Sequence, residues 1–185
     1  MELTPALVAA RAEAYDDVQP LAAVEAEHAD MLPEMLATGE FGWRDAEWVV
    51  QWYYRRFLGA YPDAERRAAE DAFGENDYDA VRDALAAAAA AGDAAAKLDH
   101  LTRLTGVDVS VGSAFLQFLD PEAYLVCSAR EWGVLRAAGE LDGDDPDPLS
   151  VPAYERYLAT CRGVAGRCDC SLPTLYRALW TLGGE

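Results

Sequence analysis

The residues of this chain with the types and spacing for chemistry gather between positions 101 and 130. The run LTRLTGVDVSVGSAFL, residues 101–116, places Gly106, Val107, Asp108, Ser110 and Gly112 close together. A glycine turn leading into a helix presents backbone N–H groups at the helix N-terminus, and such a terminus receives an anion such as phosphate. Asp108 works against that use. Its carboxylate repels a phosphate and can cap the following helix itself. Past the turn come two acids, Asp120 and Glu122, then Ser128 and Arg130. A carboxylate serves general acid–base chemistry only when it sits beside the reacting group. A serine nucleophile needs an activating base, and no histidine lies near Ser128 in the sequence. Ser128 therefore reads as the N-cap of a helix from Ala129 to Ala138. Arg55, Arg56, Arg103 and Arg130 are the candidate phosphate contacts. For the 55–67 cluster, ion pairing of Arg55, Arg56, Arg66 and Arg67 with Asp63, Glu65 and Glu70 is the favoured competing reading.

Other reactive side chains carry less. Cys161, Cys168 and Cys170 are spaced C-x6-C-x-C, with Cys127 apart from them. They read as reduced thiols in packed surroundings, without a metal or a disulfide. His28 and His100 lack local metal-ligand partners and read as structural or exposed. The acidic stretch LDGDDPDPLS, 141–150, lacks the glycine and terminal glutamate of a calcium loop and reads as a solvated loop.

The elements that must position these residues are helical. Thr4 before Pro5 starts a helix over 4–18. A second begins at Pro20, is interrupted near Pro33 and closes at Gly39. The segment WRDAEWVVQWYYRRFL, 43–58, is apolar on nearly every face, which predicts a buried helix whose aromatics pack the core rather than form a base-stacking platform. Helices follow over 63–73 and 77–91, the latter closed by Gly92. Asp93 then caps the helix that carries Lys97, His100 and Arg103 into the turn at 105–109. Gly112, Ser113 and Ala114 are small enough for two helices to approach closely. Asp120-Pro121 has the form of an N-cap and first-turn proline. Two helices, about 152–165 and 171–182, finish the chain. The spacing predicts an all-α fold.

The 185 residues suit one helical unit. No run of eighteen apolar residues and no signal-peptide pattern occurs, so a soluble cytoplasmic protein without a membrane partner is expected. The formal net charge is −18. Lys97 is the only lysine, the other basic residues being arginine. That acidity ordinarily argues against nucleic acid. The Asp-rich, lysine-poor balance also resembles halophilic proteins, whose molar salt screens charge over about 3 Å.

The motif from Leu101 and Leu104 through Gly106, Val107 and Asp108 to Ala114 resembles the L-x-x-L-P-G-V-G-x-x-T-A helix-hairpin-helix of the DNA glycosylase superfamily related to endonuclease III. The terminal Ala178-Leu179-Trp180 resembles a triplet in the last helix of several such sequences. The resemblance implies two helical lobes, with the motif over about 93–118 and the N- and C-terminal helices packed together. It places the family's catalytic aspartate at Ser128 and its Schiff-base lysine at Ser110. The family's four-cysteine iron–sulfur pattern is incomplete in this chain, and no cofactor is expected. The expectation is a DNA-repair-like protein that binds or accompanies duplex DNA without ordinary glycosylase catalysis. Its contacts would be Gly106, Val107, Asp108, Ser110, Gly112, Arg55, Arg56, Arg103 and Arg130. One alternative is a DNA glycosylase using Asp120 or Glu122 as an atypical acid. Another is a helical protein-interaction module, with another protein as its partner.

Overall fold

The computed structural model describes residues 1–184, and among them there are helices and no strands. Thr4 accepts a hydrogen bond from the Leu7 amide (3.3 Å) and starts α1 (Pro5–Glu13), with Pro5 pre-set for the first turn. A short α2 (Tyr15–Val18) leads to α3 (Ala22–Thr38), closed by Gly39 at φ +75°. The interruption expected at Pro33 does not occur: α3 runs straight through it. Leu32 and Leu36, fully buried on either side, hold the turn that the missing amide weakens.

The aromatic helix α4 (Trp43–Arg55) ends three residues earlier than its apolar run suggests, because Leu58 and Gly59 turn the chain through positive φ. It buries Val49, Val50, Trp52, Tyr53 and Tyr54, as its composition predicts. Then come α5 (Asp63–Phe73), α6 (Tyr78–Ala90) and α7 (Ala94–Leu101), the last capped by Asp93 on the Ala96 amide at 2.8 Å.

The turn between α7 and α8 (Val109–Leu119) depends on Gly106. Its φ is +78°, and a Cβ there would lie 2.6 Å from the Phe73 nitrogen. The turn is thus pressed against the end of α5. Asn76 binds it there, accepting from the Thr105 amide (2.9 Å) and donating to the Thr105 carbonyl (2.9 Å). Gly112 brings α8 onto α7, since a Cβ would lie 2.8 Å from Leu98 Cδ2.

Asp120-Pro121 does not begin a helix. Asp120 closes α8 and its carboxylate accepts from the Ala123 amide at 3.1 Å. The next residues, Tyr124, Leu125, Val126 and Cys127, are buried without helical structure. Buried backbone needs partners, and side chains of α8 and α10 supply them. Gln117 accepts from the Val126 amide (2.9 Å) and Ser113 from the Cys127 amide (3.0 Å). Tyr154 and Tyr157 donate to the carbonyls of Leu125 (3.2 Å) and Val126 (2.8 Å). This strut delivers Ser128 to the start of α9 (Ala129–Ala137), where its hydroxyl accepts from the Arg130 amide at 3.3 Å.

Ser150 caps α10 (Val151–Cys168) and Ser171 caps α11 (Leu172–Leu182). The helices pack in two sets. One set is α1, α2, α9, α10 and α11, with α1 lying along α11, and the other is α3 to α8. Contacts of α2 with α3 and of α7 with α10 join them. No helix among the described residues is long and apolar enough to cross a membrane.

Candidate functional site

A cavity of about 260 Å³ opens where the C-terminal end of α4, the α7–α8 turn, the start of α9 and the 145–149 loop meet. Tyr53 and Tyr54 come from α4, and Phe57 and Tyr61 from the chain just past it. Asp108 and Ser110 line it from the start of α8, and Cys127, Ser128 and Ala129 from the end of the buried strut. Asp145, Pro146, Asp147, Pro148 and Leu149 complete the wall.

The four rings contact one another in a closed cycle. Centroid separations are 5.0 Å for Tyr53–Tyr54, 4.9 Å for Tyr54–Tyr61, 5.8 Å for Phe57–Tyr61 and 6.1 Å for Tyr53–Phe57. Three of the four contacts are edge-to-face, so the rings pack on one another as a continuous aromatic wall. The α4 aromatics therefore pack the core, as expected, and also wall a cavity.

Three carboxylates line this space, and no lysine, arginine or histidine does. Asp108 spends one oxygen on the Val111 amide (2.8 Å), capping α8 as the sequence suggests. Burial, then Asp147 and Glu131, pushes the Asp145 carboxyl above its ordinary range. Burial also raises the Tyr61 phenol, with Glu65, Asp108 and Asp147 adding to it. The 141–150 loop is thus not wholly solvated: Leu141 and Leu149 are buried, and Asp145 and Pro146 are half-buried.

Behind the cavity lies an ion pair that the sequence does not announce. Arg56 and Glu131, both with side chains fully buried, meet through two bonds at 2.6 and 3.4 Å. Ser128 donates to the same glutamate. Burial disfavours the guanidinium charge, and Glu131 more than offsets it, holding Arg56 firmly protonated. Its carbon centre lies 4.7 Å from the Phe57 ring centroid and 5.3 Å from those of Trp52 and Tyr53. The buried thiol of Cys127, which precedes Ser128 in the chain, is pushed up by desolvation and by Glu131, so it is not a reactive thiolate.

No family profile, curated protein or solved structure matches this chain.

The cavity gathers some of the sequence candidates and leaves others out. Asp108, Ser110 and Ser128 line it. Val107 is buried and Gly112 is covered by Leu98. Arg56 is corrected outright: a fully buried arginine paired to Glu131 is not a surface phosphate contact. Arg55 pairs with Glu70 at 3.2 Å, and Arg66 and Arg67 pair with Asp63, the ion-pair arrangement favoured from sequence. Arg103 pairs with Asp99. Arg130 lies elsewhere, its guanidinium 3.8 Å from the Trp180 ring centroid and its Nε donating to the Trp180 carbonyl at 2.8 Å. Asp120 and Glu122 do not line the cavity; they follow the opposite end of α8. The four cysteines are free, Cys127, Cys161 and Cys168 being buried. Sequence reasoning missed Tyr61, Asp145, Asp147 and Glu131. For Asp145 and Asp147, the apolar Leu149 and prolines beside them were the available signal of a folded-back loop.

Proposed function

We propose that the chain is a helix-hairpin-helix protein of glycosylase-like architecture that accompanies DNA and receives an extrahelical base without excising it. One observation carries this reading. Ser110 and Ser128, where the resemblance puts the family's lysine and aspartate, are far apart in sequence and line one cavity. Neither can form a Schiff base or carry negative charge, and Ser128 is committed to capping α9 and to Glu131. The aromatic wall gives a planar base a stacking surface. Binding would rest on that surface more than on phosphate, because the turn's Thr105 amide is taken by Asn76 and Asp108 adds negative charge.

The test is anisotropy with labelled duplexes at several molar-range KCl concentrations. A duplex with an unpaired, bulged base is expected to bind about tenfold tighter than a fully paired one, with a shallow salt slope. Tyr54→Ala should abolish the difference, while Asp108→Gly should strengthen binding to both duplexes. Equal affinity for the two duplexes overturns the reading.

One further observation favours a second reading, excision by an atypical acid. Asp145 is a half-buried carboxyl with a raised proton affinity and lines the cavity, whereas Asp120 and Glu122 lie outside it. Release of a base from damaged duplexes, lost in Asp145→Asn and retained in Asp120→Asn and Glu122→Gln, would establish it.

A further inference from the structure

We infer that the cavity beside the α7–α8 turn is a receptor for an alkylammonium cation, held against the aromatic wall of Tyr53, Tyr54, Phe57 and Tyr61 and paired to the carboxylates at its edge. This rests on the cavity alone, and the cation and an extrahelical base would compete for the same space.

Three features select that chemistry. The first is shape: four aromatic rings, packed together with adjacent centroids 4.9 to 6.1 Å apart, form a continuous wall of the cavity against which a cation can rest. The second is charge. Asp108, Asp145 and Asp147 line the cavity without a basic residue. Arg56, whose guanidinium lies against the Tyr53 and Phe57 rings, is paired with Glu131 at 2.6 Å. An anion entering this space meets uncompensated like charge, and a cation meets three carboxylates. The third is the form of the cation. Among the described residues no three Cys, His, Asp or Glu side chains converge to hold a metal ion. The carboxylates are dispersed around an aromatic wall, which suits a large, weakly hydrated organic cation rather than a hard ion that needs a full oxygen shell. Burial, with Asp147 and Glu131 nearby, raises the proton affinity of Asp145, and a cation beside it would lower that affinity.

The experiment is a proton NMR titration of the whole chain, in molar KCl, with choline and with the neutral alcohol in which carbon replaces the choline nitrogen. Choline is expected to bind about tenfold tighter than its neutral isostere, its methyl protons shifting upfield in the ring currents of the aromatic wall. Asp145→Asn should weaken choline about fivefold and leave the neutral isostere unchanged. The half-buried Tyr61, changed to Ser, should reduce the upfield shift while circular dichroism stays that of the wild type. A parallel titration with acetylated trimethyllysine amide distinguishes a free ion from an ammonium carried on a side chain. Tighter binding there assigns the site to the tethered group, and weaker binding to the free ion. Equal affinity for choline and its neutral isostere, or no upfield shift at any choline concentration, overturns the inference.

Discussion

Glu25 and Arg56 are buried ionisable groups in one neighbourhood, and their surroundings treat them oppositely. Arg56 finds a full counter-charge in Glu131, seventy-five positions away, while the acids close to it in sequence pair with its neighbours. Glu25 has no such partner. It accepts from the Tyr15 hydroxyl (2.8 Å) and the Trp52 indole (2.9 Å), and Tyr15 lies 3.2 Å from the Tyr176 hydroxyl. Burial raises its proton affinity above the ordinary value of 4.5, and the two hydrogen bonds, Arg56 and Arg177 only partly offset that. The folded state therefore holds this proton more tightly than the unfolded state. Stability tied to it is complete below the unfolded value and is lost as pH rises through the folded one. Glu25→Gln keeps an acceptor and removes the titration. Its melting temperature is expected to exceed that of the wild type at pH 7 and to lose that advantage near pH 4. A difference independent of pH would show that Glu25 does not titrate in this range.

At the scale of elements, the strut of Tyr124 to Cys127 decides the site. It carries Ser128 and Cys127 to the cavity, although it makes no ladder or helix of its own. Its backbone is held by Gln117 and Ser113 on α8 and by Tyr154 and Tyr157 on α10. Tyr157 is fully buried, so its loss leaves the Val126 carbonyl without a donor. Tyr157→Phe is expected to cost about 1–3 kcal/mol, read from the denaturant midpoint. An unchanged midpoint would mean that the strut does not depend on this bond. Gly106 acts at the same scale, since its missing Cβ lets the turn reach α5. Its role was legible from the glycine itself, whereas the contact with Phe73 and Asn76 was not.

Over the whole molecule, charge dominates. At −18, self-repulsion opposes the compact state, and salt relieves it. Most of the ion pairs that oppose it are at the surface, where each contributes little. The melting temperature is expected to rise steadily from low to molar KCl; a flat or falling trend would reject charge repulsion as the controlling term. The sequence by itself determined the helices, because 3.6-residue periodicity and capping side chains are local: Thr4, Asp93, Asp108, Ser128 and Ser171 each cap the helix their position announces. Local patterns also misled where tertiary burial overrode them, at Pro33, which α3 passes through, and at Asp120-Pro121, where a strut replaces a helix. The cavity was decided only by tertiary structure. Tyr61, Asp108, Ser128 and Asp145 come from four separate parts of the chain, and only packing of the two sets of helices brings their side chains to one space.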